Sequence, residues 1–367
     1  MSIFNTSTLK ADIIHNFNAG PSILPPEVFV QAAAAVLNFN DSGLSILEFG
    51  HRTPEFTEVM ETARNLVREL MHLDDDHEVL FLHGGASTQF MQVPMNILDM
   101  KESAAYADTG VWSIKAINEA KLYGKVEVVC SSKDKNYNCI PKDFAVPNDA
   151  KYLHITTNNT IYGTQWHKIP RTSIPIIADM SSDILSRELD FNSFDLVYAG
   201  AQKNMGAAGV NLVVVNKNIL GKVKRALPTI MDYRNHIKEA SMLNTPPVFA
   251  VYVCMLTLQW LKDQGGIKEI EKINNSKASL LYQEIDSNEL FTGTVEKDDR
   301  SKMNVCFVMK NTNDEKAFLE YTKKLGIVGI KGHRSVGGFR ASLYNALPLN
   351  SVEFLIKAMQ DFKASFG

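Results

Sequence analysis

Nothing in this chain approaches the roughly 18 consecutive apolar residues that a membrane helix needs. Four cysteines are spread over 367 residues, and no two stand in a C-x-x-C pair. That pattern suggests neither a disulfide framework nor a metal site. The formal net charge is only -3, so no global basic field draws the protein to nucleic acid or anionic lipid, and any anion site has to be built locally. The first residues, MSIFNTSTLKADIIHN, lack both a basic start and an apolar core, unlike a signal peptide. Internal repeats, low-complexity tracts and Gly/Ser linkers are also missing. These absences predict a reduced, cytoplasmic, soluble protein with closely packed parts.

The sequence is long enough for two domains. Its 45% hydrophobic and 22% charged residues are the balance of an ordinary globular protein. Strand-length apolar runs at 78–82, 104–107, 125–130, 151–156, 174–179, 195–198 and 210–215 alternate with helix-period segments such as 87–98 and 113–122. That alternation predicts an α/β fold with a mostly parallel sheet covered on both faces, whose ligands bind beyond the carboxyl ends of the strands. From about residue 266 the texture changes. A long helix over 267–285, a strand over 303–309, a helix over 314–325, a strand near 339–344 and a closing helix over 351–366 predict a smaller α+β domain. The expected division is a large domain over 16–265, a small one over 266–367, and a flexible N-terminal extension over 1–15.

Three sites stand out within the large domain. In EVLFLHGGASTQF the strand runs through Gly84 and Gly85 straight into a helix, leaving the first helical N–H groups without partners. That suits a phosphate; the same stretch serves equally as a plain βα turn with Ser87 as N-cap. It lacks the spacing of a nucleotide-binding P-loop. Asp179 ends the apolar run of PIIADMSSD, where its carboxylate can pair with a cationic ring nitrogen or simply cap the next segment. Lys203 stands in AGAQKNMG among small residues. A desolvated lysine there can be a nucleophile, although a loop lysine is more often a solvated charge. In this order, an anion cradle, a strand-end Asp and a Lys with space beside it are what pyridoxal 5'-phosphate (PLP) requires.

AGAQKNMGAAG (199–209), FNAGPS (17–22), GHRTPEF (50–56), NNTIYGTQW (158–166) and above all KGHRSVGGFRASLYNALP (331–348) resemble the phosphoserine aminotransferases, within the class V PLP-dependent aminotransferases. The likeness runs from about Asn16 to the C-terminus. It implies PLP-dependent transferase fold type I, the aspartate-aminotransferase-like fold. It also implies Lys203 as the Schiff-base lysine, Asp179 at the pyridine nitrogen, Thr160 at the ring 3-hydroxyl, and Trp112 stacked on the ring. Ala86, Ser87 and Gln202 would hold the cofactor phosphate, helped by Asn244 and Thr245 from a neighbouring subunit. Arg340 would clamp the substrate α-carboxylate. His51 and Arg52 of the partner chain, with His333 and Arg334, would take the substrate phosphate. A planar guanidinium suits both anions; outside this context the same arginines read as surface charges and Trp112 as core. The sequence departs from the usual pattern at TTNNT, just ahead of Thr160, and in the residues before Asn16.

The resemblance implies a homodimer catalysing ping-pong transamination among phosphoserine, 2-oxoglutarate, glutamate and 3-phosphohydroxypyruvate, in serine biosynthesis. The distal carboxylate of glutamate would use the site that takes the phosphate. A second substrate, 4-phosphohydroxy-L-threonine in vitamin B6 biosynthesis, presents the same two ends. Three rivals are weighed against this. An alanine–glyoxylate aminotransferase would not need the His-Arg pairs. A cysteine desulfurase needs a cysteine on a mobile loop, whereas Cys306 sits in the apolar run MNVCFVM and Cys254 in another. An idle phosphate-ligand binder would not need the Lys203–Asp179 pair.

Overall fold

A computed structural model describes residues 14–366; of the expected extension over 1–15, all but Ile14 and His15 lie outside the described residues. All seven expected strands of the large domain form one sheet. Its order is His77–Leu82, Asn211–Asn216, Leu196–Gly200, Ile176–Asp179, Leu153–Thr156, Ser103–Asp108, Lys125–Ser131. Only Asn211–Asn216 runs against its neighbours; the remaining pairs are parallel.

Every residue of the three central strands Leu153–Thr156, Ile176–Asp179 and Leu196–Gly200 is buried. Both faces are covered, which is why these strands read as unbroken apolar runs instead of alternating ones. One face carries Ile155, Ala178 and Val197 into a core with the helices Pro54–Met71 and Val248–Asp263. Pro54–Met71 is fixed by its own sequence. Thr53 caps its start, Pro54 occupies the first turn, and Phe56, Val59, Met60, Ala63, Leu66, Val67 and Leu70 form a single buried stripe. The other face carries Tyr152, Ile177, Leu196 and Tyr198 into a core under the helices Gly85–Ile97 and Val111–Ala120.

The C-terminal part holds an antiparallel sheet of Phe291–Gly293, Asn304–Met309 and Phe339–Ser342, with the helices Gly266–Ser287, Glu315–Lys324 and Leu349–Phe366. Two features blur the expected boundaries. His15–Asn16 pairs in parallel with Ile327–Val328, and Phe17 is buried in the C-terminal core, so the chain's first described residues ride on the small part. Gly266–Ser287 also serves both, with Ile267 and Ile270 in the first core and Ala278, Leu281 and Ile285 in the C-terminal one.

Candidate active site

Five parallel strands deliver their carboxyl ends to one cavity of about 370 Å³, and the residues there include Gly84, Ala86, Ser87, Trp112, Thr160, Asp179, Gln202, Lys203, His333 and Arg340. The cradle forms first. Gly84 takes φ +90 and is the N-cap of Gly85–Ile97, so Ala86 and Ser87 lie in the first helical turn with their N–H groups free of intrahelical acceptors. Ser87 is therefore not the cap, and the plain-turn alternative loses its capping residue. A Cβ at Gly84 would fall 1.8 Å from Thr88 Oγ1; only glycine permits this turn.

Lys203 follows Leu196–Gly200 and is held from below. Ser22 donates its N–H to the Gln202 carbonyl at 3.0 Å and its hydroxyl to the Lys203 carbonyl. A Cβ on Gly20 would lie 3.3 Å from Lys203 Cγ. The FNAGPS motif is thus a clamp beneath the lysine. Lys203 Nζ donates to Thr160 Oγ1 at 3.0 Å. Burial pulls its pKa down to about 8, against the attraction of Asp179 and with help from Arg340.

Asp179 is 4% exposed. Its Oδ1 accepts from Ser181 twice, from Oγ at 2.6 Å and from N at 2.9 Å; Oδ2 has no hydrogen bond among the described residues. Burial raises its pKa, opposed by the two Ser181 bonds and then by Lys203.

Arg340 reaches the cavity from Phe339–Ser342 and donates from Nη1 to the Thr160 carbonyl at 3.1 Å. Its Nε is buried without a partner among the described residues, as is Trp112 Nε1. His333 Nδ1 lies 2.6 Å from Ser335 Oγ. Burial lowers the His333 pKa, and Arg340, Arg334 and Lys115 lower it further. A cationic mouth is thereby present on one side of the cavity.

Five of the expected residues do not line this cavity within the chain. Arg334 is exposed beside His333. His51 and Arg52 sit in the turn before Pro54–Met71, and His51 Nε2 is buried with no partner among the described residues. Thr245 lies near the cradle, since His83, one residue before Gly84, hydrogen-bonds the Thr245 carbonyl through Nε2 at 2.8 Å, and Asn244 precedes it in the chain. Sequence reasoning missed Ser181 and Ser182. Ser182 donates to the Asn158 carbonyl at 2.9 Å and accepts from Asn158 Nδ2 at 2.8 Å; Asn158 Nδ2 also reaches Asn304 Oδ1 at 2.8 Å. That chain ties the site to the C-terminal sheet. The two serines stand in the quoted PIIADMSSD, but adjacent serines after an Asp carry no distinctive pattern.

Other features lie away from the chemistry. A larger hollow of about 840 Å³ opens between the 140–148 and 166–173 segments, and none of the expected residues reaches it. Cys139, Glu296 and Asp299 bring ligand atoms within 4.8 Å of one another, although Lys135 and Lys142 each stand 3.5 Å from one of the carboxylates. Cys306 Sγ donates to the Ile161 carbonyl inside a strand, and burial pushes its thiol up to about 12. Cys254 is likewise buried and raised to about 12. Neither is the mobile thiolate that desulfuration needs.

The sequence model of the family described as aminotransferase class-V matches residues 14–355. Phosphoserine aminotransferase of Flavobacterium johnsoniae is 57% identical over 347 residues, 94% of this chain and 98% of that relative. Among solved structures, phosphoserine aminotransferase from Bacillus circulans subsp. alkalophilus matches with a TM-score of 0.95 at 43% identity, covering 97% of this chain and 100% of that one. PLP-bound phosphoserine aminotransferase from Trichomonas vaginalis matches with a TM-score of 0.90 at 35% identity, covering 95% and 100%.

Proposed function

Because the chain belongs to the class-V aminotransferase family, we infer that it exchanges an amino group between phosphoserine and 2-oxoglutarate, giving 3-phosphohydroxypyruvate and glutamate, reversibly and in the service of serine biosynthesis. It is a PLP-dependent transaminase of fold type I. The observation that carries the substrate reading is the meeting of Lys203 and Arg340 at Thr160, one through the hydroxyl and the other through the carbonyl. An amine-processing group and a carboxylate clamp bridged by a single residue suit the amine and the carboxylate of an α-amino acid.

The residues fit the cofactor. The Gly84 turn leaves N–H donors for a phosphate, Asp179, at the cavity wall, keeps one oxygen without a hydrogen bond among the described residues, and Trp112 offers an indole face with its Nε1 away from water. Bound PLP supplies an electron sink for the charge left when the substrate Cα loses its proton. Lys203 Nζ takes that proton and returns it, a task suited to an amine drawn down to about 8. Asp179, charged, favours a protonated ring nitrogen. Arg340 orients the substrate by its α-carboxylate. Ala86, Ser87 and Gln202 grip the cofactor phosphate, and Thr160 the ring oxygen.

We assign the distal phosphate to His333 and Arg334 together with His51 and Arg52 of a second copy of this chain, with Asn244 and Thr245 of that copy closing on the cofactor phosphate. A homodimer is supported by Phe29, Val30, Leu37 and Leu47, each more than half exposed on one stretch leading to His51. Residues 16–265 and 266–367 act in this proposal as the PLP-binding and small domains, with the 15–17 segment carried on the small one. No described helix is long and apolar enough to cross a membrane; four unpaired cysteines support a cytoplasmic setting. The same two-ended recognition extends to 4-phosphohydroxy-L-threonine in vitamin B6 biosynthesis.

Steady-state kinetics with phosphoserine, 4-phosphohydroxy-L-threonine and alanine as amino donors test this reading. A kcat/KM for phosphoserine far above that for alanine supports it, and equal values refute the phosphate site. Mixing inactive Lys203→Ala and Arg52→Ala proteins tests the shared site; hybrids that regain no activity would count against it.

A further inference from the structure

The Ser181 hydroxyl touches two different elements. It donates to Asp179 Oδ1 at 2.6 Å and accepts the Gly200 N–H at 3.2 Å. Gly200 ends the strand that leads into Lys203. One hydroxyl thus spans from the carboxylate to the root of the lysine loop. Ser181 is itself 8% exposed and borders the cavity.

A turn closed by the Asp179 side chain over Met180 would need only the Ser181 backbone N–H, and that bond is present at 2.9 Å. The hydroxyl adds a second donor to the same oxygen. Oδ1 is thereby occupied twice and Oδ2 not at all among the described residues. Two donors on a buried carboxylate favour its ionised form against the desolvation that opposes it, and a hydroxyl on a charged oxygen is among the stronger hydrogen bonds.

We propose that Ser181 is a positioning residue that acts through Asp179, turning one carboxylate oxygen away from the cavity and leaving the other for the ring nitrogen of the cofactor, in register with the Lys203 loop. The proposal rests on the PLP reading above. Ser182, one residue on, has a different task, binding Asn158 and through it the C-terminal sheet.

The test uses purified full-length Ser181→Ala, Ser181→Thr, Asp179→Ala and the Ser181→Ala/Asp179→Ala double variant. PLP affinity is measured by absorbance titration of the apoprotein, and the pH dependence of the Schiff-base band by spectrophotometry. Ser181→Ala is expected to weaken PLP binding roughly 10- to 100-fold, the range of one hydrogen bond to a charged group, and to shift the pH profile of the band. Ser181→Thr, which keeps the hydroxyl, restores both. In the Asp179→Ala background the further loss of the hydroxyl changes affinity less than threefold. The proposal is overturned if Ser181→Ala leaves affinity and band unchanged, if Ser181→Thr restores neither, or if the hydroxyl's effect is as large without Asp179 as with it. A band missing from the unmutated protein overturns the cofactor reading and this proposal together; an intact band that is indifferent to Ser181 overturns this proposal alone.

Discussion

Lys203 and Arg340 converge on Thr160, which accepts the lysine Nζ at 3.0 Å through its hydroxyl and the arginine Nη1 at 3.1 Å through its carbonyl. The two cations are held at a fixed spacing by one residue that is itself 5% exposed. Their closeness has an electrostatic cost, visible in Arg340 adding to the burial that lowers the Lys203 pKa. That cost keeps an amine available for proton transfer near neutral pH.

Arg340→Lys should lower kcat/KM about 100-fold for phosphoserine and for glutamate alike, because an ammonium cannot reproduce the planar fork on a carboxylate. Steady-state kinetics on both donors check this. A loss confined to phosphoserine would move Arg340 to the phosphate end.

Capture of PLP by the apoprotein should speed up with pH and level off above about 8. The sign comes from Lys203: below its pKa of about 8 the amine is protonated and cannot attack, and above it the amine is free. At saturating PLP the first-order rate should rise about fifty-fold from pH 6 to pH 8, the change in the neutral fraction. Stopped-flow absorbance measures it. A flat profile would mean that the amine is not the titrating group.

Gly84→Ala should weaken PLP binding at least tenfold while leaving the fold intact. The added Cβ meets Thr88 Oγ1 at 1.8 Å on a backbone at φ +90, so the first helical turn has to shift and its N–H donors lose their aim. Circular dichroism and PLP titration together check it, and normal affinity would show that the cradle is not the phosphate site.

Lys277→Met should destabilise the protein by about 3 kcal/mol in denaturant unfolding, because the carbonyls of Leu343, Tyr344 and Leu347 each lose the donor they share in Lys277 Nζ. An unchanged midpoint would show that those carbonyls find other partners.

The parallel sheet was legible because its central strands are covered on both faces and so appear as short, unbroken apolar runs. The turn at Gly84 and Gly85 was legible as a strand-to-helix junction, but its use was not, since the same stretch reads equally as a plain βα turn. Lys277 shows where reading stops. In sequence it is one more lysine of an amphipathic helix, and only the return of the 343–347 segment over that helix buries it completely. His15–Asn16 pairing with Ile327–Val328 was hidden for a similar reason, since two short strands 312 residues apart leave no local pattern. Ser181 was visible as a residue but not as a role. Its second partner, Gly200, lies on another strand, and the register between strands is a property of the folded sheet.

Reduction of the PLP-loaded protein with borohydride, followed by peptide mass analysis, identifies the lysine that carries the cofactor. Burial lowers two lysines, Lys203 to about 8 and Lys277 to about 7, so basicity alone favours the wrong one. Geometry decides between them: Lys277 Nζ is fully enclosed and donates to three carbonyls, whereas Lys203 opens on the cavity. A single pyridoxyl adduct is expected, on the peptide containing Lys203. An adduct on Lys277 or any other lysine, or no adduct at all, would rule out Lys203 as the cofactor lysine.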